Sequence, residues 1–111
     1  MHIERRRAPR IEVLGRLQGQ MVPGDMPLTV REISLGGLSF ESSMPFALGG
    51  VHEFRLTLGD ESAVLLRGRI VRSEGRINND GSILHITGVQ FIDDEPGAPG
   101  SPLGGLIDKI R

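Results

Sequence analysis

The chain has 111 residues, a formal net charge of −1 and no cysteine. One domain is expected at this length, disulfides and thiolate metal sites are excluded, and no apolar run is long enough to cross a bilayer. Trp and Tyr are absent and Phe occurs four times, which removes the aromatic platforms on which single-stranded nucleic acid stacks.

Charge is unevenly spread. Residues 1–10 carry four Arg and one Glu (+3), and the remainder carries nine basic and thirteen acidic residues (−4). Positive charge confined to one arm points to a small anion or to one acidic patch on a partner, not to a nucleic-acid face. Absence of cysteine is in keeping with a cytoplasmic protein. No apolar run follows the basic start, so it is not a secretory signal, and Met1 reads as the start of a stand-alone domain.

The arm, residues 1–10, contains Glu4-Arg5-Arg6-Arg7-Ala8-Pro9-Arg10. Pro9 fixes its own φ and disfavours helix at Ala8, so the arm is expected to be extended or turned, not helical, and flexible. Guanidinium groups this close repel unless they meet an anion. Their planar forks suit bidentate capture of phosphate and can stack on flat rings. Glu4 is an alternative partner for one of them.

From Ile11 to Val22, scattered apolar residues read as a bent strand with Gly15 and Gly19 as bulges. Pro23-Gly24-Asp25 is a turn. Leu28 and Val30 alternate with Thr29 and Arg31, which is strand periodicity. Glu32–Gly37 breaks that pattern and reads as an irregular loop, after which Leu38 and Phe40 resume it. Ser42–Gly50 is a further loop. Phe54, Leu56 and Leu58 mark a half-buried strand, and Gly59-Asp60-Glu61 turns the chain.

Ala63–Arg72 is the next expected strand, with Val64, Leu66 and Ile70 on one face. Arg67, Arg69 and Arg72 read as its solvated outer face, a second anion site being the lesser alternative. Ser73–Gly81 is polar and ends in Asn78-Asn79-Asp80-Gly81, a hairpin turn. Ile83–Ile92 is the last strand, with Gly88 as a bulge. Asp93–Pro102 is a Gly/Pro linker. Asp93-Asp94-Glu95 within it reads as a solvated edge. Leu103, Leu106, Ile107 and Ile110 stand at helical spacing, so a short C-terminal helix is expected within 96–111, where it is a candidate partner contact. About six short strands with punctuating turns make the fold class all-β, an antiparallel barrel or sandwich over residues 11–95.

The second stretch with chemistry is Glu32-Ile33-Ser34-Leu35-Gly36-Gly37. In an extended segment Glu32 and Ser34 project to one side, and together they match a ring edge that carries N–H groups. Gly36 and Gly37 permit unusual φ and close backbone approach. A serine before two glycines is also the composition of an ordinary turn. No nucleophile arrangement is visible, nor a phosphate-cradling Gly-x-x-x-x-Gly-Lys loop. His2, His52 and His85 lack ligand spacing. Neither an enzyme nor a metal protein is expected.

An Arg-x-x-x-Arg arm followed about twenty residues later by an acidic-x-Ser-x-x-Gly loop resembles the PilZ domain family. Arg6 and Arg10 match the first motif, Glu32, Ser34 and Gly37 the second, and Gly88-Val89-Gln90-Phe91 looks like that family's closing strand. The resemblance covers roughly residues 4–95. It implies a six-stranded antiparallel barrel that binds cyclic di-GMP, a bacterial second messenger, with the arm wrapping the ligand and no cofactor. On the resemblance, Arg6 and Arg10 take phosphates and the guanine O6/N7 edge, Ser34 and Glu32 face its N–H edge, and Gly37 gives backbone room. Arg7 is a further candidate contact. Arg5 occupies the position that accompanies a stacked pair of ligand molecules in the family. The family usually has Asp or Asn where Glu32 stands. The partners implied are cyclic di-GMP and an unidentified effector protein. The alternative is a PilZ-like protein adaptor, in motility or pilus assembly, that binds no nucleotide.

Overall fold

A computed structural model describes residues 10–22, 24, 26–59, 63–92 and 102–110. Seven strands and one helix follow in order: β1 (Ile11–Glu12), β2 (Leu17–Val22), β3 (Met26–Ile33), β4 (Gly37–Ser42), β5 (Val51–Leu58), β6 (Val64–Ile77), β7 (Ile83–Phe91) and α1 (Pro102–Ile110). All pairings are antiparallel. β2 pairs with β3 and β5, β3 with β4, β4 with β7, β7 with β6, and β6 with β5. The ring closes on itself, so the expected six-stranded antiparallel barrel is present. Closure removes the free edges that an open sheet would leave. β1 is an addition outside the ring, paired with the end of β3 through Ile11↔Ile33 and Glu12↔Glu32.

Alternation fills the interior. Leu28, Val30, Phe40, Phe54, Leu56, Leu66, Ile70, Val89 and Phe91 form one buried cluster. Phe40 and Phe54 are fully buried with ring centroids 6.1 Å apart, and Phe46 meets Phe40 edge-on at 5.3 Å. The helix joins this core through the residues its spacing marks, Leu103, Leu106, Ile107 and Ile110. Its apolar face is therefore spent on the barrel and is not the partner contact expected of it. Arg16 fastens the helix end, donating from Nη2 to the Ile110 carbonyl at 2.8 Å, where the helix dipole favours a cation.

Four local expectations change. The Ile11–Val22 segment is two strands and not one, because Gly15 at φ 83° makes a turn there. Gly19 is not a bulge. It pairs regularly with Leu28 and Leu56, and a Cβ there would lie 2.7 Å from Val30 Cγ2. The break at Glu32 is not the end of a strand, since β3 runs to Ile33 with a β-bulge between Val30 and Glu32. The irregularity expected at Gly88 sits on the partner strand, between Ile70 and Arg72 of β6.

β6 also continues to Ile77, through a stretch read as loop. From Arg72 onward it pairs with β7 alone, as a ribbon in which the β6 residues are exposed apart from half-buried Ser73. Such a strand has no buried face and therefore no period-two pattern to reveal it. The ribbon ends in the expected turn. Asn78 N–H donates to the Ser82 carbonyl at 2.8 Å, and Gly81 has φ 87°. The Asp80 carboxylate accepts from the Ser82 hydroxyl and amide, which hold its pKa below the ordinary value. These bonds are complete above the ordinary carboxylate range and are lost as pH falls through the lowered value.

Leu103→Ala removes a side chain that is 1% exposed at the helix–barrel contact. Urea unfolding is expected to show a loss of about 2–4 kcal/mol. A change under about 0.5 kcal/mol would mean that the helix does not share the core.

Candidate functional site

The outer face at the β3–β4 junction carries the residues of the second motif. The bulge in β3 turns two successive residues outward, Arg31 and Glu32, and returns Ile33 to the core, where it is 1% exposed. Glu32 thereby joins Ser34 on the outer side. Arg31 does not stand free, because its Nε lies 3.3 Å from Glu41 Oε2 on β4.

Ser34 begins a tight turn. Its amide donates to the Gly37 carbonyl at 2.8 Å, and its Oγ accepts from the Gly36 amide at 3.2 Å. A hydroxyl has one proton and two lone pairs, so the Ser34 proton and one lone pair remain for a ligand. Leu35 packs against the core and pins the turn tip.

The two glycines serve different ends, and neither has the positive φ expected. Gly36 is exposed, with open space above it, and its carbonyl accepts from Phe91 N–H at 2.9 Å. At Gly37 an added Cβ would lie 2.0 Å from the Val89 carbonyl oxygen. Its close approach is to the backbone of β7 and not to a ligand. It lets β4 and β7 meet, with Gly37 opposite Gln90.

Of the arm, Arg10 is described. Arg5, Arg6 and Arg7 lie outside the described residues, as do Glu4 and the acidic run 93–95. Arg10 Nη1 stands 3.7 Å from Glu32 Oε1, with side chains 58% and 37% exposed. An ion pair this exposed adds little stability. Its meaning is positional, since it brings the second arginine of one motif to the acid of the other. Glu12 stands opposite Glu32 across β1–β3, a like-charge pair that repels. Arg10 offsets that repulsion. Among the described residues no three His, Asp or Glu side chains group to hold a metal.

Beyond Glu32 the paired residues run directly across the barrel. Glu32 pairs with Ser39 on β4, Ser39 with Gly88 on β7, and Gly88 with Arg72 on β6. Ser39 and Gly88 are small, so the outer face is low between its acidic and basic ends. Sequence reading missed Ser39 and placed Arg72 among solvated arginines. The usable signal was the pair of broken alternations, at Arg31-Glu32 and at Val71-Arg72.

A PilZ domain family model matches residues 4–107. Among solved structures, the PilZ domain of YcgR from Escherichia coli with c-di-GMP is 15% identical, with 96% of this chain and 92% of that one covered and a TM-score of 0.71. The Bacillus subtilis inhibitor of motility, MotI/DgrA, is 16% identical over 97% of this chain and 50% of its own, with a TM-score of 0.72. The K. pneumonia MrkH–c-di-GMP complex is 16% identical over 84% of this chain and 47% of its own, with a TM-score of 0.64. This chain thus spans about half the length of MotI and of MrkH. At these identities the likeness establishes the fold. No curated protein matches the sequence.

The two glycines give a paired expectation. Gly37→Ala forces a methyl into the Val89 carbonyl and is expected to cost about 3 kcal/mol or to prevent folding. Gly36→Ala meets nothing closer than 3.9 Å and should stay within about 0.5 kcal/mol of wild type. Thermal melts of the two variants check this, and equal stabilities would contradict the assigned roles.

Proposed function

The chain belongs to the PilZ domain family, and we propose that it is a cyclic di-GMP receptor and not an enzyme. The observation that carries the reading is the meeting of Arg10 and Glu32 at 3.7 Å. Arg10 and Glu32 stand apart in sequence, yet β1 and the bulged end of β3 carry these two side chains to one outer face. The YcgR PilZ domain and MrkH, both structures with c-di-GMP, support the same ligand.

In the proposed complex Arg6 and Arg10 hold phosphate and the guanine O6/N7 edge by bidentate hydrogen bonds. The Glu32 carboxylate and the free Ser34 proton and lone pair face the N–H edge. Arg7 is a further contact, and Gly36 leaves the ligand an open approach to the turn. Arg5 selects a stacked pair of ligand molecules. Glu32 has one methylene more than the Asp usual in the family. That length lets it reach Arg10, so ligand has to displace this ion pair. Displacement moves Arg10 from carboxylate to phosphate and fixes residues 5–10 against the barrel. The surface so formed is what an effector protein reads. The receptor acts in the bacterial cytoplasm.

One observation favours the second reading, a protein adaptor. Ile77 and Ile83 face each other at the ribbon tip, 78% and 54% exposed. An apolar pair held out in solvent suits contact with another protein.

Calorimetric titration of cyclic di-GMP, with GMP and cyclic GMP as controls, separates the readings. Saturable, selective binding is expected, weakened roughly tenfold to a hundredfold by Arg6→Ala, Arg10→Ala or Glu32→Ala. Silence at high ligand concentration would move the assignment to the adaptor. Ligand is also expected to slow tryptic cleavage after Arg5 to Arg10, and equal cleavage rates would remove the clasping arm from the account.

A further inference from the structure

We propose that Arg72 is a further ligand-binding residue: a guanidinium fixed on the barrel that takes a phosphate of the cyclic dinucleotide on the side away from the arm. The inference rests on the proposed function and deepens it.

Regular alternation would bury Arg72. Leu66, Gly68 and Ile70 point inward and are buried, so the next inward position is 72. The β-bulge between Ile70 and Arg72 reverses this, leaving Val71 and Arg72 both exposed. The bulge in β3 does the same for Glu32 at the other end of the paired row. Bulges commonly re-aim side chains beside binding sites. Here two of them aim an acid and a base at one outer face, separated by Ser39 and Gly88.

Arg72 is held in place by packing. Its Cβ, Nε and Nη2 each lie 3.4 Å from the position a Gly88 Cβ would occupy. The side chain lies across Gly88, which is buried although it sits on the outer face. This draws the cation back towards β4 and Glu32. Gly88 is two strand spacings from Glu32, about 10 Å, a span that one dinucleotide bridges. Three other arginines meet carboxylates, in Arg10–Glu32, Arg31–Glu41 and Arg76–Glu74, and Arg16 and Arg55 donate to the Ile110 carbonyl and to Gln20. Among the described residues no carboxylate pairs with Arg72. A guanidinium that is packed, exposed and without a carboxylate among the described residues is preorganised for an anion. The acidic end of the row suits N–H donors and the Arg72 end suits phosphate. A cyclic dinucleotide offers both, and its second phosphate remains for Arg72 when the arm holds the first.

The test is calorimetric titration of cyclic di-GMP into the full chain at several salt concentrations. Arg72→Ala, Arg72→Lys and Arg10→Ala are compared with wild type. Arg76→Ala serves as a control, because that side chain is exposed on the ribbon and paired with Glu74 at 3.6 Å. Arg72→Ala is expected to weaken binding about tenfold or more and to reduce its salt dependence, with an unchanged melting temperature. Lysine is expected to recover part of the loss, as a point charge without the fork. Arg76→Ala is expected to bind as wild type does. Wild-type affinity in Arg72→Ala, with binding lost in Arg10→Ala, would overturn this inference and leave the receptor intact. A loss in Arg72→Ala that lysine does not recover, with an unchanged salt slope, would assign Arg72 to packing and overturn it too. Absence of binding in wild type would remove the receptor reading and this inference together.

Discussion

A closed barrel leaves no strand free to slip, because each strand of the ring is held on both sides. Within that constraint the two β-bulges decide what faces outward. Each adds one residue to a strand whose partner has none to match, so the inside–outside alternation reverses at that point. On β3 the reversal buries Ile33 and exposes Glu32; on β6 it exposes Arg72 after the buried Ile70. Remove either bulge and the chemistry of the face changes sign, with a charge sent into the core. Gly37 and Gly68 permit the same arrangement by letting β4 and β6 approach β7 closely. A Cβ at either would meet β7 within 2.0 and 2.2 Å, at the Val89 carbonyl and side chain respectively. The surface is therefore set by register and close approach, with no special loop required.

Electrostatics on this face is arranged as a competition. Glu12 and Glu32 oppose one another across β1–β3, and Arg10 sits beside them. Exposed pairs of this kind are weak and salt-screened, so an incoming anion can draw Arg10 away at low cost. On the proposed reading the same move leaves Glu32 free to accept from a base. A pair too weak to stabilise the fold can in this way gate a site. On the proposed reading the extra methylene of Glu32 belongs to this arrangement, since a shorter acid reaches Arg10 less readily.

The barrel could be read from the chain because buried faces impose period two. Leu28 and Val30, Phe54 and Leu56, and Leu66 and Ile70 each mark an inward row that the structure confirms. The stripe Leu103, Leu106, Ile107 and Ile110 marked the helix for the same reason, despite Gly104 and Gly105. What escaped was structure without a buried face. The β6 residues from Glu74 to Ile77 are exposed on both sides, so their polar sequence looked like loop. The bulges escaped because a broken alternation and the end of a strand read alike in sequence. Val71 concealed the second one further, as an apolar residue that points outward, 50% exposed. For the same reason Ser39 and Arg72 were not joined to Glu32, since cross-strand neighbours are set by register and not by spacing along the chain.

On the proposed reading a cyclic dinucleotide docks on the outer face that runs from β3 across β4 and β7 to β6. Amide chemical-shift mapping by NMR during titration with cyclic di-GMP tests it most directly. The account predicts shifts concentrated at Arg10, Glu32 to Gly37, Ser39, Gly88 and Arg72, with the β2–β5 side of the barrel unchanged. Shifts centred on Gln18–Gln20 and Arg55–Thr57 of that opposite side, or none at saturating ligand, would contradict it.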